Sequence, residues 1–255
     1  MEEKVFHAGP ARIAPPDSHH TTMPNQRLSS RRFLMALLSV VLPVYLIFSL
    51  LSQAFPAGLP KSTSVSMTAS NRSLVPLEAH IMSKCPDARD CLRDLVVPAM
   101  EQVVNKVNFT LSFIGSVDKD NSIQCMHGPG ECLGDMLSLC AIDLHPDDPV
   151  IYLGFSNCLI SSYAQIPSRD LVEYCALEHG IAFEHLNGCI SEEGKGLDLL
   201  MASVERSQAA GVKRSCTVRV NNKTWCVRDG GEWKDCPGGS DVKSLVEEVD
   251  RLYQM

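Results

Sequence analysis

The sequence predicts an α/β fold: a strand–helix–strand unit, a helical and disulfide-stapled insertion, then a β-hairpin and a last helix, preceded by one transmembrane helix. Three observations carry this reading. Val75–Ile81 alternates apolar residues at the strand period and is followed at once by apolar residues at helical spacing. Asn221-Asn222 stands between two short strand-like runs and suits a two-residue hairpin turn, because Asn tolerates positive φ. Phe33 to Leu51 is nineteen residues without a charge, and at 1.5 Å per residue a helix of that length spans roughly 29 Å, about the hydrocarbon thickness of a bilayer.

From the N-terminus, residues 1–32 hold Pro, Ser and His with few apolar residues, the composition of a disordered tail. Arg27, Arg31 and Arg32 lie just before the apolar segment 33–51, whereas the first basic residue after it is Lys61. The positive-inside rule then puts the tail in the cytosol and the rest in the lumen, as a single-pass type II protein. Ser52-Gln-Ala54 resembles a small-residue cleavage site, and cutting after Ala54 would give a secreted form; the apolar run is longer than the usual signal core, which favours an uncleaved anchor. Residues 52–72 read as a Ser/Thr/Pro/Gly linker. Three sequons, at Asn71, Asn108 and Asn222, fall on the expected lumenal side and predict glycosylation there.

Residues 73–255 form the expected lumenal domain. After the first strand, Leu92, Leu95, Val96, Ala99, Met100, Val103 and Val104 make a helical stripe that Pro98 should kink. Val107 to Ile114 alternates as a second strand, and a strand–helix–strand unit of this size implies a parallel pair. Asp148 to Tyr163, Arg169 to His179 (with Ser168 as N-cap) and Leu197 to Ala209 read as helices. Cys216–Val220 and Lys223–Val227 form the hairpin, Asp229-Gly-Gly231 closes it, and Ser240 caps a final amphipathic helix. This order is that of a thioredoxin-like domain with a helical insertion.

The chain has a net charge of −7 and eleven cysteines, all between Cys85 and Cys236. That asymmetry predicts an oxidising environment for the C-terminal part. No basic stripe suggests nucleic-acid binding. Eleven is odd, so at least one thiol is unpaired within the chain.

Cys85 ends the first strand at the start of a helix, where unpaired N–H groups and the positive dipole end favour a thiolate. Pro86 suits the first helical position. Lys84 and Arg89 add to that field, while Asp87 and Asp90 oppose it. The alternative is a structural half-cystine. Downstream, Cys125-Met-His-Gly-Pro-Gly-Glu-Cys-Leu-Gly-Asp-Met-Leu-Ser-Leu-Cys140 is the most specific string in the chain. Cys125, His127, Cys132 and Cys140 lack the paired knuckle spacing of a structural zinc site, so no metal is expected. Disulfides that staple the insertion to the core are expected instead.

This string resembles the signature of the gamma-interferon-inducible lysosomal thiol reductase family, C-Q-H-G-x-x-E-C-x-x-N-x-x-x-x-C. Cys125, His127, Gly128, Glu131, Cys132 and Cys140 match in residue and register, while Met126 stands at the Gln and Asp135 at the Asn. The resemblance covers about residues 73–255. It implies a thioredoxin-like fold and reduction of protein disulfides in acidic lumenal compartments such as lysosomes or vacuoles. The family's C-x-x-C is missing: three positions after Cys85 stands Ala88, and the next thiol is Cys91. Six residues of continuous helix rise about 9 Å, beyond the ~7 Å Cα reach of a disulfide. Cys85 and Cys91 can pair only if Pro86 to Asp90 form a loop; both geometries stay open. Cys216 falls about where thioredoxin-like folds carry a cis-Pro facing the active thiol. It is either a resolving thiol for Cys85 or half of a structural bridge. With the turn at Asn221-Asn222, Thr217 should oppose Cys226, so Cys216 and Cys226 should not bond.

Two functions follow. The first is a thiol–disulfide oxidoreductase acting on protein disulfides, with Cys85 as nucleophile and Cys91 as resolving partner, needing no cofactor. The second is a redox-silent lumenal binding or structural protein in which Cys85–Cys91 is a static bridge.

Overall fold

A computed structural model of the chain describes residues 73–255 other than Glu193. The expected tail (1–32), anchor (33–51) and linker (52–72), with Ala54 and Asn71, lie outside the described residues. Among the described residues no helix is long and apolar enough to cross a membrane.

Strand β1 (Val75–Ile81) runs parallel to β2 (Val107–Phe113), pairing Val75 with Val107 through to Ile81 with Phe113. Its other edge pairs antiparallel with β5 (Thr217–Val220). Two short strands, β3 (Ser116–Val117) and β4 (Ile123–Gln124), pair separately after β2. β6 (Lys223–Asp229) and β7 (Glu232–Lys234) complete a mixed sheet in the order β2-β1-β5-β6-β7. The hairpin turn is where the sequence puts it, with Asn221 and Asn222 at φ 48° and 62°.

Its register is not the expected one. Val220 faces Lys223 and Arg219 faces Thr224, but Val218 then faces Cys226 and Thr217 faces Val227. Trp225 is thus the extra residue of a β-bulge, and every later partner is displaced by one. The Trp225 ring fills the space beside Gly238, where an added Cβ would sit 2.0 Å from it. Cys226 bonds to Cys236, not to Cys216.

Of the two geometries left open, the helix after β1 takes the one that begins at Pro86, with Cys85 in the N-cap position at φ −94°, ψ 126°. It runs as α1 (Pro86–Cys91), a wider π turn (Leu92–Val96) and α2 (Val97–Val103). Pro98 has no N–H to give to the carbonyl four residues back, and the expected irregularity takes the form of the wider turn just ahead of it. The insertion consists of α3 (Pro129–Leu144), α4 (Pro149–Ser161), α5 (Arg169–Glu178), α6 (Phe183–Ser191) and α7 (Lys195–Ala209). Helix α6 is not evident in the sequence, since only Leu186 and Cys189 of its nine residues are buried. The last helix, α8 (Val242–Tyr253), is capped by Asp241, whose carboxylate accepts the Ser244 N–H, and not by Ser240.

Helix α2 packs with α8, and α7 packs on β2. Leu77, Ile81, Leu92, Leu95, Leu111, Phe113, Phe155 and Leu159 are among the fully buried side chains of the core between these layers. Cys140–Cys189 ties α3 to α6, and Cys158–Cys175 ties α4 to α5.

Candidate active site

Cys85 sits at the C-terminal end of β1, lifted off the sheet by a turn in which its N–H donates to the Met82 carbonyl at 3.1 Å. Its carbonyl accepts the Arg89 N–H at 3.2 Å, the first rung of α1. The residue as a whole is 8% exposed. Its Sγ lies 3.7 Å from the Ser215 carbonyl oxygen, on the loop that leads into β5. Ser215 also holds that loop against the Cys85 turn, its Oγ accepting the Met82 N–H at 2.8 Å. The next residue is Cys216, joined to Ser215 by a cis peptide.

The structure separates the expected pair. Cys91 lies at the end of α1 and is bonded to Cys216, with 6.2 Å between Cα atoms. Cys85 is the one free cysteine of the eleven, since the other ten form five bridges. The physical reason is the helix start at Pro86: with no loop from Pro86 to Asp90, the rise of about 9 Å carries Cys91 out of reach of Cys85. The Cys85–Cys91 bridge, whether read as resolving or static, is therefore replaced by Cys91–Cys216. Ala88, at the position of the second C-x-x-C thiol, is fully buried.

The charges around Cys85 are engaged elsewhere. Lys84 Nζ donates to the Ile166 carbonyl at 2.6 Å. Arg89 pairs with Asp90 at 2.8 Å and holds its carboxyl below the usual carboxylate range. Asp87 accepts the Gly230 and Gly231 N–H groups, each at 2.9 Å, pinning the start of α1 to the turn between β6 and β7. Gly230 and Gly231 stand at φ 65° and 77°, which glycine reaches without strain.

The signature string folds around this loop. Cys125 and Cys132 are bridged, and Gly128 (φ 84°) caps α3 with Pro129 in its first turn. Glu131, fully buried, accepts the His127 backbone N–H at 3.1 Å and the Lys84 N–H at 3.2 Å, and His127 Nδ1 contacts the same carboxylate. Asp135, also fully buried, accepts the Ser83 N–H at 3.0 Å. Ser83 Oγ in turn donates to the Glu131 carbonyl at 3.1 Å. Burial pushes the Asp135 carboxyl well above the ordinary carboxylate range; its bonds to Ser83 oppose the rise and the nearby Glu131 adds to it. Two carboxylates of one helix thus hold the backbone of Ser83 and Lys84, the two residues ahead of Cys85. This positioning role was not legible in the sequence, where the string reads only as a staple.

Beside the loop lies an apolar groove of about 550 Å³, bordered by Met82, Ile114, Cys125, Met126, Val212 and Lys213. Away from it, Cys158, Glu178 and His179 converge within 4.8 Å, but the Cys158 sulfur is bonded to Cys175, leaving two free donors for any metal. Asn108, on edge strand β2, and Asn222, in the hairpin turn, are both exposed.

Residues 76–179, which contain Cys85 and the whole signature string, match the gamma interferon inducible lysosomal thiol reductase (GILT) family. GILT-like protein 1 of Drosophila melanogaster is 26% identical over 147 residues, covering 51% of this chain and 59% of that one. The chain therefore spans about three fifths of the length of that relative. A putative protein disulfide isomerase from Nitrosomonas europaea superposes with a TM-score of 0.50 at 9% identity, over 71% of this chain and 98% of that one. The thiol-disulfide exchange protein alpha-DsbA2 of Wolbachia pipientis gives 0.48 at 15% identity, over 72% and 83%. The architecture is the thioredoxin-like α/β fold with disulfides, and residues 76–179, with the signature string, are similar to the GILT family.

Proposed function

We propose that the chain is a thiol–disulfide oxidoreductase that reduces disulfides of polypeptide substrates, with Cys85 as its nucleophile. The observation that carries this reading is that the one thiol left free stands at a helix N-terminus. It precedes a helical run that continues to Val103, and it is the cysteine nearest solvent among Cys85, Cys91 and Cys216. In the reaction the Cys85 thiolate attacks one sulfur of the substrate disulfide, forming a mixed disulfide and releasing the other sulfur as thiolate. The neighbouring groove would take the apolar residues that flank such a disulfide, and Met126, 73% exposed on its rim, adds adaptable apolar surface. Cys85→Ser should abolish reduction of a disulfide-bonded model protein; unchanged reduction by that variant would overturn the assignment.

A lumenal setting on a type II anchor completes the reading. It is supported by the arginines before residue 33, the five bridges and the exposed sequon residues Asn108 and Asn222. Burial raises the pKa of the Asp135 carboxyl, a shift that suits an acidic compartment. Protease digestion of the C-terminal domain in intact microsomes would refute this topology.

One observation favours a second reading. Ala88 removes the usual resolving thiol, and the Cys91–Cys216 bridge is fully buried, which fits a redox-silent binding protein. The two readings part on Cys85 itself: a redox-silent protein forms no mixed disulfide with an oxidised substrate.

A further inference from the structure

We infer that Cys91–Cys216 is a buried redox pair served by Cys85, so that three cysteines replace the two of C-x-x-C. This rests on the assignment of Cys85 as nucleophile. Cys85 lies against the peptide unit that precedes Cys216 and is the N-cap of the helix that ends at Cys91. Both bridge cysteines are 0% exposed, whereas Cys85 is 8% exposed. An outside thiol or disulfide therefore meets Cys85 first, and the bridge exchanges with solvent only through it. The Met82 N–H bond to Ser215 Oγ joins the turn ahead of Cys85 to the residue before Cys216, and the backbone of Cys216 exchanges bonds with Arg228 of β6, whose following turn Asp87 of α1 holds.

With the bridge reduced, the cycle balances. The Cys85 thiolate attacks a substrate disulfide and releases the first substrate thiolate. The Cys216 thiolate then attacks Cys85 Sγ, releases the second substrate thiolate and forms Cys85–Cys216. Cys91 attacks Cys216 Sγ, expels Cys85 as thiolate and closes Cys91–Cys216. Two electrons pass from the Cys91/Cys216 dithiol to the substrate, and Cys85 ends as it began. The structure, with Cys85 free and Cys91–Cys216 closed, corresponds to this oxidised end state. A dithiol reductant restores the pair by the reverse path: Cys85 opens the bridge, the reductant attacks Cys85 Sγ to free Cys216, and its second thiol then frees Cys85.

The test uses the full-length chain, reduced with dithiothreitol, freed of it, and exposed to a disulfide-bonded peptide before acid quench, alkylation and peptide mapping. Wild type should release both peptide thiols and end with Cys91–Cys216. Cys91→Ala should end as Cys85–Cys216, and Cys216→Ala should keep one peptide adduct per chain on Cys85. A peptide adduct on Cys85 that persists in Cys91→Ala as it does in Cys216→Ala, without Cys85–Cys216, overturns the relay and leaves Cys85 as nucleophile. No adduct on Cys85 in any form overturns both. Should either variant fail to fold, wild type is mapped across a series of dithiothreitol redox buffers. The relay requires a Cys85–Cys216 peptide at intermediate poise; Cys91–Cys216 as the only bridge among these three at every poise refutes it.

Discussion

Asp135 accepts the backbone N–H of Ser83 at 3.0 Å, so a fully buried carboxyl of α3 fixes the turn that presents Cys85. Burial is the main cause of its raised pKa. A carboxyl whose folded-state pKa lies above its unfolded value contributes stability that is fully present below the unfolded pKa. That stability is lost as pH rises through the folded one. The wild-type fold should thus lose stability from about pH 4 upward on account of this group. Asp135→Asn keeps the acceptor and has no proton to lose. Its melting temperature should match wild type near pH 4 and exceed it increasingly toward neutral pH. A constant difference across that range would show that the folded-state pKa of Asp135 is not raised above its unfolded value.

Glu131 makes the companion contacts, accepting the N–H groups of His127 and Lys84 from a fully buried position. Glu131→Ala leaves two part-buried backbone donors without their acceptor, a loss of about 1–3 kcal/mol in all, which is what one fully buried unpaired donor costs. Urea unfolding should show a loss in that range. Cys85 alkylation in the native state should also change, because Lys84 is its immediate neighbour. Wild-type alkylation in a destabilised Glu131→Ala protein would show that the contact does not position the thiol.

Much of the frame was legible. Val75–Ile81 and Val107–Phe113 announce themselves by alternation, Pro86 by its fixed φ, and Asn221-Asn222 by tolerance of positive φ. Each of these is a local property of the chain. What stayed hidden depends on contacts far apart in sequence. Cys91 and Cys216 are 125 residues apart, and nothing near either one names its partner. The bulge at Trp225 comes from packing against Gly238, which alternation alone does not reveal. Glu131 and Asp135 read only as positions of the signature string, yet they face inward and accept the N–H groups of Lys84 and Ser83.

The disulfide census gives a direct count. With five bridges and one free thiol, native protein treated with a small alkylating agent under non-reducing conditions should gain one group per chain, on Cys85. Cys85→Ser should gain none. Modification of Cys91 or Cys216 without prior reduction would contradict the bridge between them.

Cys140–Cys189 ties the signature helix α3 to α6 across a separation of 49 residues, and both ends are buried. Losing a native bridge from a small secreted domain typically costs about 2–5 kcal/mol. Cys140→Ser should therefore lower the melting temperature by roughly 4–20 °C for a domain of this size. Cys189→Ser should behave alike, and the double variant should lose no more than either single one, since both remove one bond. Additive losses would mean that the two thiols act through separate contacts.

Gly134 isolates the contact between signature helix and active-site turn without touching a charge or a sulfur. A Cβ built there would lie 2.4 Å from Ile166 Cγ2 and 2.6 Å from Ser83 Oγ. Gly134→Ala must therefore push α3 away from the turn or displace Ser83, whose Oγ donates to the Glu131 carbonyl and whose N–H donates to Asp135. Overpacking of this kind typically costs about 1–3 kcal/mol. The helix itself gains from alanine, by up to about 1 kcal/mol, so a net loss measures the clash. The expected result is lower stability together with altered alkylation of Cys85, which follows Ser83 by two residues. A variant as stable as wild type would show that α3 and the turn yield freely at this point, and that the close approach is not what holds Cys85 in place.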